Sequence, residues 1–349
     1  MTTLRPILVA AAALTALGAQ EQPPLRIVEQ VEIVMAPVTV LDSRGKYVNG
    51  IQPHEFRVYD NKKEQQFRVD VTFQPISLVV LVQADGRSDA FLEKTRKISS
   101  LLEALVLGER GEAALIAFDH RIQLLQDFTS NGELLDTALK KIRPGSSSSR
   151  MVDAIVEATR MLSRRSKDHR RVILLISETT DRGSEAKYRE AVTGLELNNI
   201  IVYAVNVSRV VTALQQKPAI PRPDPIPPAA RRMPGGSATP EEVNAQGRLY
   251  GSYIPVFTEI YTRVKGIFVA NPQELFTKYT GGREHSFVSQ QALESAVADV
   301  GEELHSQYLI TYNPNNKSEG GFHEIKVDVL RYGLTVRTRP GYWMAAVPQ

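Results

Sequence analysis

The sequence of 349 residues contains no cysteine. That absence excludes disulfides, cysteine-ligated zinc, iron–sulfur clusters and thiol nucleophiles. Charge of one dominant sign is lacking too. The formal net charge of +3 is mild for this length. Its field favours neither nucleic acid nor an anionic membrane surface, so no nucleic-acid partner is expected. Long hydrophobic runs are equally scarce. No stretch reaches the ~18 uninterrupted apolar residues of a spanning helix, so no membrane span is expected in the mature chain. The catalytic signatures GxSxG, GxxxxGK[ST], GxGxxG and HExxH do not occur. The six histidines, His54, His120, His169, His285, His305 and His323, stand outside metal-ligand spacing of one another.

What is present describes a globular protein. Hydrophobic residues make up 42% and charged residues 23%, enough to bury a core, and the length suggests roughly two domains. At the N-terminus Arg5 precedes the apolar run Pro6 to Leu17, then Gly18 and Ala19, then Gln20-Glu21-Gln22. This is the charged, apolar and cleavage-site order of a secretory signal over 1–19. The chain is therefore expected to be exported, periplasmic or extracellular in a bacterium, and without a lipid anchor because no cysteine follows the apolar run.

The two ends of the chain read as strands. "VEIVMAPVTVLD" is β-rich, and Phe67, Val69, Val71 and Phe73 alternate with polar residues, the period of a half-buried strand. "QYLITY", "FHEIKVDVL" and "LTVRTR" repeat the character near the C-terminus. A β-sandwich built from residues 27–75 and 307–345 is expected. The centre alternates strand and helix. "ISLVVLV" (76–82) and "RVILLIS" (171–177) are unbroken apolar runs, as in strands covered on both faces. Helical spacing marks residues 91–105, 151–162, about 184–198, and a last helix with Leu293, Ala296, Val297, Val300 and Leu304 on one face. The expected fold class is α/β, a doubly wound, mainly parallel sheet over 76–306. Nine of the twenty prolines fall between Pro218 and Pro255, which marks 211–257 as an insertion of extended chain with no packed core.

Ligands of doubly wound sheets sit at the carboxyl ends of the strands. Three polar loops fall there: "QADGRSD" (83–89), "GSSSSR" (145–150) and "SETTDRGS" (177–184). The serine loop precedes a helix, yet it lacks the lysine and glycine spacing of a phosphate loop, so a capping role is expected of it. The order strand, "QADGRSD", helix, "GSSSSRMVDAI", helix, "RVILLISETTDRGS" resembles a von Willebrand factor type A domain. The flanking strands resemble the ends of the type A-related proteins abundant in acidobacterial genomes. The resemblance implies a metal-ion-dependent adhesion site at the top of the sheet. An aspartate–serine–serine loop, a threonine and a second aspartate would there bind magnesium or a similar hard cation, which demands an octahedron of oxygens.

Carried over residue by residue, that site is altered. Gln83 falls on the first aspartate, Asp85 on the first serine and Arg87 on the second. Ser149 falls on the threonine and Glu178 on the later aspartate. Gln83 offers only a neutral amide oxygen, and Arg87 brings a fixed positive charge to where a cation would sit. A positive group ~4 Å from a cation costs several kcal/mol at intermediate dielectric. No cofactor is therefore expected, and an internal ion pair of Arg87 with Asp85 and Glu178 would take the metal's place. The alternatives are an altered magnesium site of Asp85, Ser149 and Glu178, or an ordinary solvated turn. In function, the sequence points to a non-enzymatic adhesion or scaffolding protein with a degenerate ion site, meeting a protein or cell-envelope partner at the sheet top. Two other readings stand beside it: a hydrolase with Asp85 or Glu178 as general base, and a structural domain that binds through its sandwich edge or the proline-rich insertion.

Overall fold

The computed structural model describes residues 33–70, 74–86, 89–102, 110–146, 148–178, 181, 183–207 and 271–344. The expected signal over 1–19, Arg87 and the insertion 211–257 lie outside the described residues. The chain divides into two compact units, Met1–Gln30 and Val31–Gln349, and every described element belongs to the second. Among the described residues no helix is long and apolar enough to cross a membrane.

Four strands come first: β1 (Val34–Leu41), β2 (Phe56–Asp60), β3 (Lys63–Glu64) and β4 (Phe67–Asp70). Asn61 and Lys62, between β2 and β3, take φ of 47° and 68°, the left-handed pair of a tight two-residue hairpin. The chain then alternates. β5 (Ile76–Gln83) leads to the short helices α1 (Asp89–Thr95) and α2 (Ser99–Leu101). β6 (Glu112–Phe118) and β7 (Ile122–Thr129) lead to α3 (Gly132–Lys141) and α4 (Met151–Ser163). β8 (Arg170–Ser177), α5 (Tyr188–Leu197) and β9 (Ile200–Val207) follow, then α6 (Pro272–Thr280), β10 (Glu284–Phe287) and α7 (Gln290–Ser306). Within the described residues the helical spacing expected over 91–105 is met by two pieces, not one, and residues 103–105 lie outside the described residues. The break falls where Arg96 turns aside to the Ile142 carbonyl and Ser99 Oγ donates to Asp136, both fixing α2 against α3.

The central sheet has the order β10-β9-β8-β5-β6-β7. β5 pairs in parallel with both β6 and β8, and β7 is an antiparallel edge. Every residue of β5 is buried, as an apolar run without alternation requires. Leu78, Val80 and Val82 pack with α3 and α7, while Val79 and Leu81 pack with α4 and α5. Helices therefore cover both faces, and the fold class is the one expected. The strand order reverses at β5, which puts the topological switch point at its carboxyl end.

The chain closes with β11 (Tyr308–Tyr312), β12 (Gly321–Val329), β13 (Thr335–Arg337) and β14 (Gly341–Met344). N- and C-terminal strands interleave in two further sheets, β13-β1-β11-β4 and β14-β12-β2-β3. Val38, Phe56, Ile310, Ile325 and Tyr342 are among the side chains of their common core. A polar knot is buried there. The Asp60 carboxylate pairs with His323 Nδ1 at 2.6 Å and accepts from Tyr342 at 2.6 Å, Asn316 at 2.9 Å and Tyr312 at 3.0 Å. Burial pushes this carboxyl up, but the bonds from His323, Tyr342 and Asn316 outweigh it and hold Asp60 below its ordinary value.

One residue, Gln307, separates α7 from β11, and the seam between central sheet and sandwich is charged and buried. Glu303 on α7 is fully buried. It accepts from Tyr203 of β9 at 2.9 Å and from Thr39 of β1 at 3.4 Å, and it pairs with Arg337 of β13. Breaking a buried pair by removing one partner strands the other charge and costs about 3–5 kcal/mol. Arg337→Met is expected to lose stability of that order in urea unfolding. A loss within the ±0.5 kcal/mol of an ordinary surface change would show that the pair does not hold the seam.

Candidate functional site

Because β5, β6 and β8 run parallel, their carboxyl ends lie side by side. Gln83 faces Phe118, and Val82 faces Ile176. The chain past each strand is then tied to its neighbours by hydrogen bonds. Ala84 N donates to Phe118 O at 2.8 Å, Gly145 N to Ala84 O at 2.6 Å and Gly86 N to Ser146 O at 2.9 Å. These bonds lay the Asp85 loop against the serine loop. Gly145 sits where a Cβ would lie 1.9 Å from Asp119 Oδ2, so no other residue fits that close approach.

Of the residues named from sequence, the structure joins Gln83 and Glu178 directly. The Glu178 amide donates to Gln83 Oε1 at 2.8 Å. Gln83 is 1% exposed, Asp85 1%, Ser149 1% and Glu178 5%, so all four are interior groups, not parts of a solvated turn. Asp85 and Glu178 are both engaged with other groups. The hydroxyl of Ser149 is buried and makes no hydrogen bond. Below them, Gln273 of α6 clamps the end of β8. Its Nε2 donates to Ser177 Oγ at 2.5 Å, Glu178 O at 3.0 Å and Ser177 O at 3.1 Å.

The donors present differ from those of the hard-cation site that the resemblance implies. The oxygen at the first position belongs to a neutral amide and already accepts a backbone N–H. Magnesium needs near-ideal octahedral oxygen geometry and binds through one or two carboxylates. Among the described residues no three or more His, Asp or Glu side chains group so as to hold a metal ion. His120, Ser146 and Asp119 do not form a catalytic triad. His120 Nδ1 lies 2.7 Å from Ser146 Oγ and 3.0 Å from Asp119 Oδ2. One ring nitrogen meets both partners, whereas a triad needs the serine and the carboxylate on opposite nitrogens.

Three carboxylates that sequence reading passed over organise this end of the sheet. Asp119, the first residue after β6, accepts from Arg121 N at 2.7 Å and Ser146 N at 3.1 Å. Burial pushes its carboxyl up, but these backbone bonds win and hold it low. Asp153 accepts from Ala186 N at 2.8 Å and pairs with Arg150 at 2.6 Å. Asp181 accepts from Met151 N at 3.0 Å and from Ser184 Oγ at 2.8 Å, capping α4 at its positive end. The available signal was positional: Asp119 is the first polar residue after an apolar strand, as Gln83 is at the end of β5. Gln273 had no local signal, since it arrives from a helix 96 residues after Ser177.

Burial raises the Asp181 carboxyl from 3.8 to about 6, with the bonds from Ser184 and Met151 opposing it. The folded protein therefore holds this proton more tightly than the unfolded chain. The group's contribution to stability is complete below 3.8 and is lost as pH rises through about 6. Asp181→Asn should flatten the fall in melting temperature across that window relative to the parent. Parallel curves for parent and variant would show that Asp181 does not titrate there.

Residues 79–181 match the family model described as von Willebrand factor type A domain. No curated protein matches the chain. Among solved structures, it is similar to the conserved hypothetical protein BatB from Bacteroides thetaiotaomicron, at 15% identity and a TM-score of 0.39 over 65% of this chain and 99% of that one. An aerotolerance-related membrane protein from Bacteroides fragilis gives 15% identity and a TM-score of 0.40 over the same shares. Proximal thread matrix protein 1 from the mussel byssus, with a zinc-occupied MIDAS motif, gives 12% identity and a TM-score of 0.41 over 71% of this chain and 50% of its own. The family match falls on β5, α4 and β8, the strands and helix that meet at the switch point, so the centre of this chain is similar to a von Willebrand factor type A domain.

Proposed function

We propose that this chain is an exported, non-enzymatic adhesion or scaffolding protein. Its type A domain, 76–306, meets a protein or cell-envelope partner at the carboxyl end of the central sheet, without a metal ion. The sandwich of 27–75 and 307–345 carries that domain. The observation behind this reading is the bond from the Glu178 amide to Gln83 Oε1, which fills the first ligand position with a structural hydrogen bond. In this reading Arg87 supplies the positive charge, pairing with Asp85 and Glu178. Asp85 and Glu178 follow the neighbouring strands β5 and β8, and a guanidinium fork serves two oxygens at once. The burial of Asp85 and Glu178 to 5% exposure or less also argues against either as a general base open to a substrate.

One observation favours the alternative of an altered cation site. Ser149 Oγ, buried without a hydrogen-bond partner, would in that reading join Asp85 and Glu178 as an oxygen ligand. Calorimetric titration of the chelator-treated protein with magnesium and with manganese separates the two readings. The proposal expects no heat of binding at micromolar affinity from either ion, in the parent and in Arg87→Ala alike. A micromolar site that disappears in a folded Glu178→Ala variant would establish the altered cation site instead.

A further inference from the structure

The sequence holds two asparagine–glycine pairs, Asn49–Gly50 and Asn131–Gly132. Asparagine is thermolabile, and a following glycine, lacking a Cβ, leaves its own amide nitrogen open to react with the asparagine side chain. The two pairs sit in opposite settings. Asn49 and Gly50 are both exposed and lie in a loop between β1 and β2. Gly50 takes φ +76° with open space where a Cβ would be. Asn131 is the N-cap of α3, and its side-chain oxygen accepts from Glu133 N at 2.8 Å. Gly132 is the buried first residue of that helix.

We propose that Asn49 is a site of spontaneous covalent modification in the folded protein, and that the change loosens the sandwich at Tyr308. The nitrogen of Gly50 attacks the side-chain carbonyl carbon of Asn49. A new C–N bond forms and ammonia leaves, giving a five-membered succinimide. Water opens the ring at either carbonyl, so the product is aspartate or isoaspartate, and one neutral amide has become one carboxylate. Asn131 is spared because the helix holds the Gly132 nitrogen in place and the bond from Glu133 N fixes the side-chain carbonyl in its capping position.

The consequence follows from what lies on either side of the pair. Ile51 N donates to the Tyr308 hydroxyl at 2.9 Å, and that hydroxyl donates to Val48 O at 3.0 Å. One phenol thus ties down the residue before Asn49 and the residue after Gly50. An isoaspartyl linkage routes the main chain through the side-chain carbon and adds one atom between these two ties. Both bonds cannot then keep their geometry. Ile51, 2% exposed in the sandwich core, would move with them, and Tyr308 opens β11, one residue, Gln307, past the end of α7.

The test ages the folded full chain for days at neutral to mildly alkaline pH, then maps residues 49 and 131 by peptide mass spectrometry and isoaspartyl methylation. Loss of the Asn49 amide, with isoaspartate formed there and Asn131 intact, is expected. Persistence of Asn49, or conversion of Asn131 alongside it, would overturn the assignment. Thermal melts then compare aged parent with fresh parent, Asn49→Asp and aged Asn49→Gln. The aged parent should melt lower, while Asn49→Asp melts with the fresh protein and Asn49→Gln does not change on ageing. An equal drop in Asn49→Asp would assign the effect to charge and remove the role of the Tyr308 ties. An equal drop in aged Asn49→Gln would place the damage elsewhere.

Discussion

The hydrogen bond from the Glu178 amide to the Gln83 side chain is the constraint on which the top of the sheet depends. Both ends are out of water, and a buried amide left without its partner costs ~1–3 kcal/mol. The bond spans the gap between β5 and β8, where the chain beyond each strand diverges and the backbone ladder can no longer pair. A side chain therefore does there what a strand neighbour does lower down. Gln273 continues the work from beneath by holding Ser177 and Glu178. Asp119 does the same across the serine loop, whose Gly145 must lie against it. Once these bonds are made, the described residues of the three strand-end loops are held by the protein's own donors and acceptors.

The sandwich is joined to this sheet through buried charge as well as apolar packing. Arg337 and Arg339 stand two residues apart in "RTRPGYW". Arg337 pairs with Glu303 of α7. Arg339 draws down the carboxyl of Glu196 on α5, although burial is stronger and raises it. Glu196 also accepts from Tyr279 of α6 at 2.7 Å and from the amide of Trp343 in β14. The C-terminal strands thus end on carboxylates from two helices, α5 and α7, that pack on the central sheet.

Much of the fold was legible because apolar patterning decides it. The unbroken runs at 76–82 and 171–177 became the buried strands β5 and β8, and the face Leu293, Ala296, Val297, Val300 and Leu304 became the buried face of α7. The pairing of the two chain ends into one sandwich followed from their shared strand character. What could not be read is what joins residues distant in sequence. Glu303 lies on that same buried helical face, but its partners Thr39, Tyr203 and Arg337 come from three separate segments. At the site, sequence gave the loops and their unusual residues. It could not say that Gln83 would spend its oxygen on a backbone amide, because that depends on the register of β8 against β5.

The measurement that bears most directly on this account is a high-resolution crystal structure of the protein grown in excess magnesium. The account predicts the Gln83 Oε1 to Glu178 N hydrogen bond intact, near its 2.8 Å length, with the Arg87 guanidinium between Asp85 and Glu178 and no metal density. Octahedral density bound by Asp85, Ser149 and Glu178, with Gln83 turned away from the Glu178 amide, would contradict it.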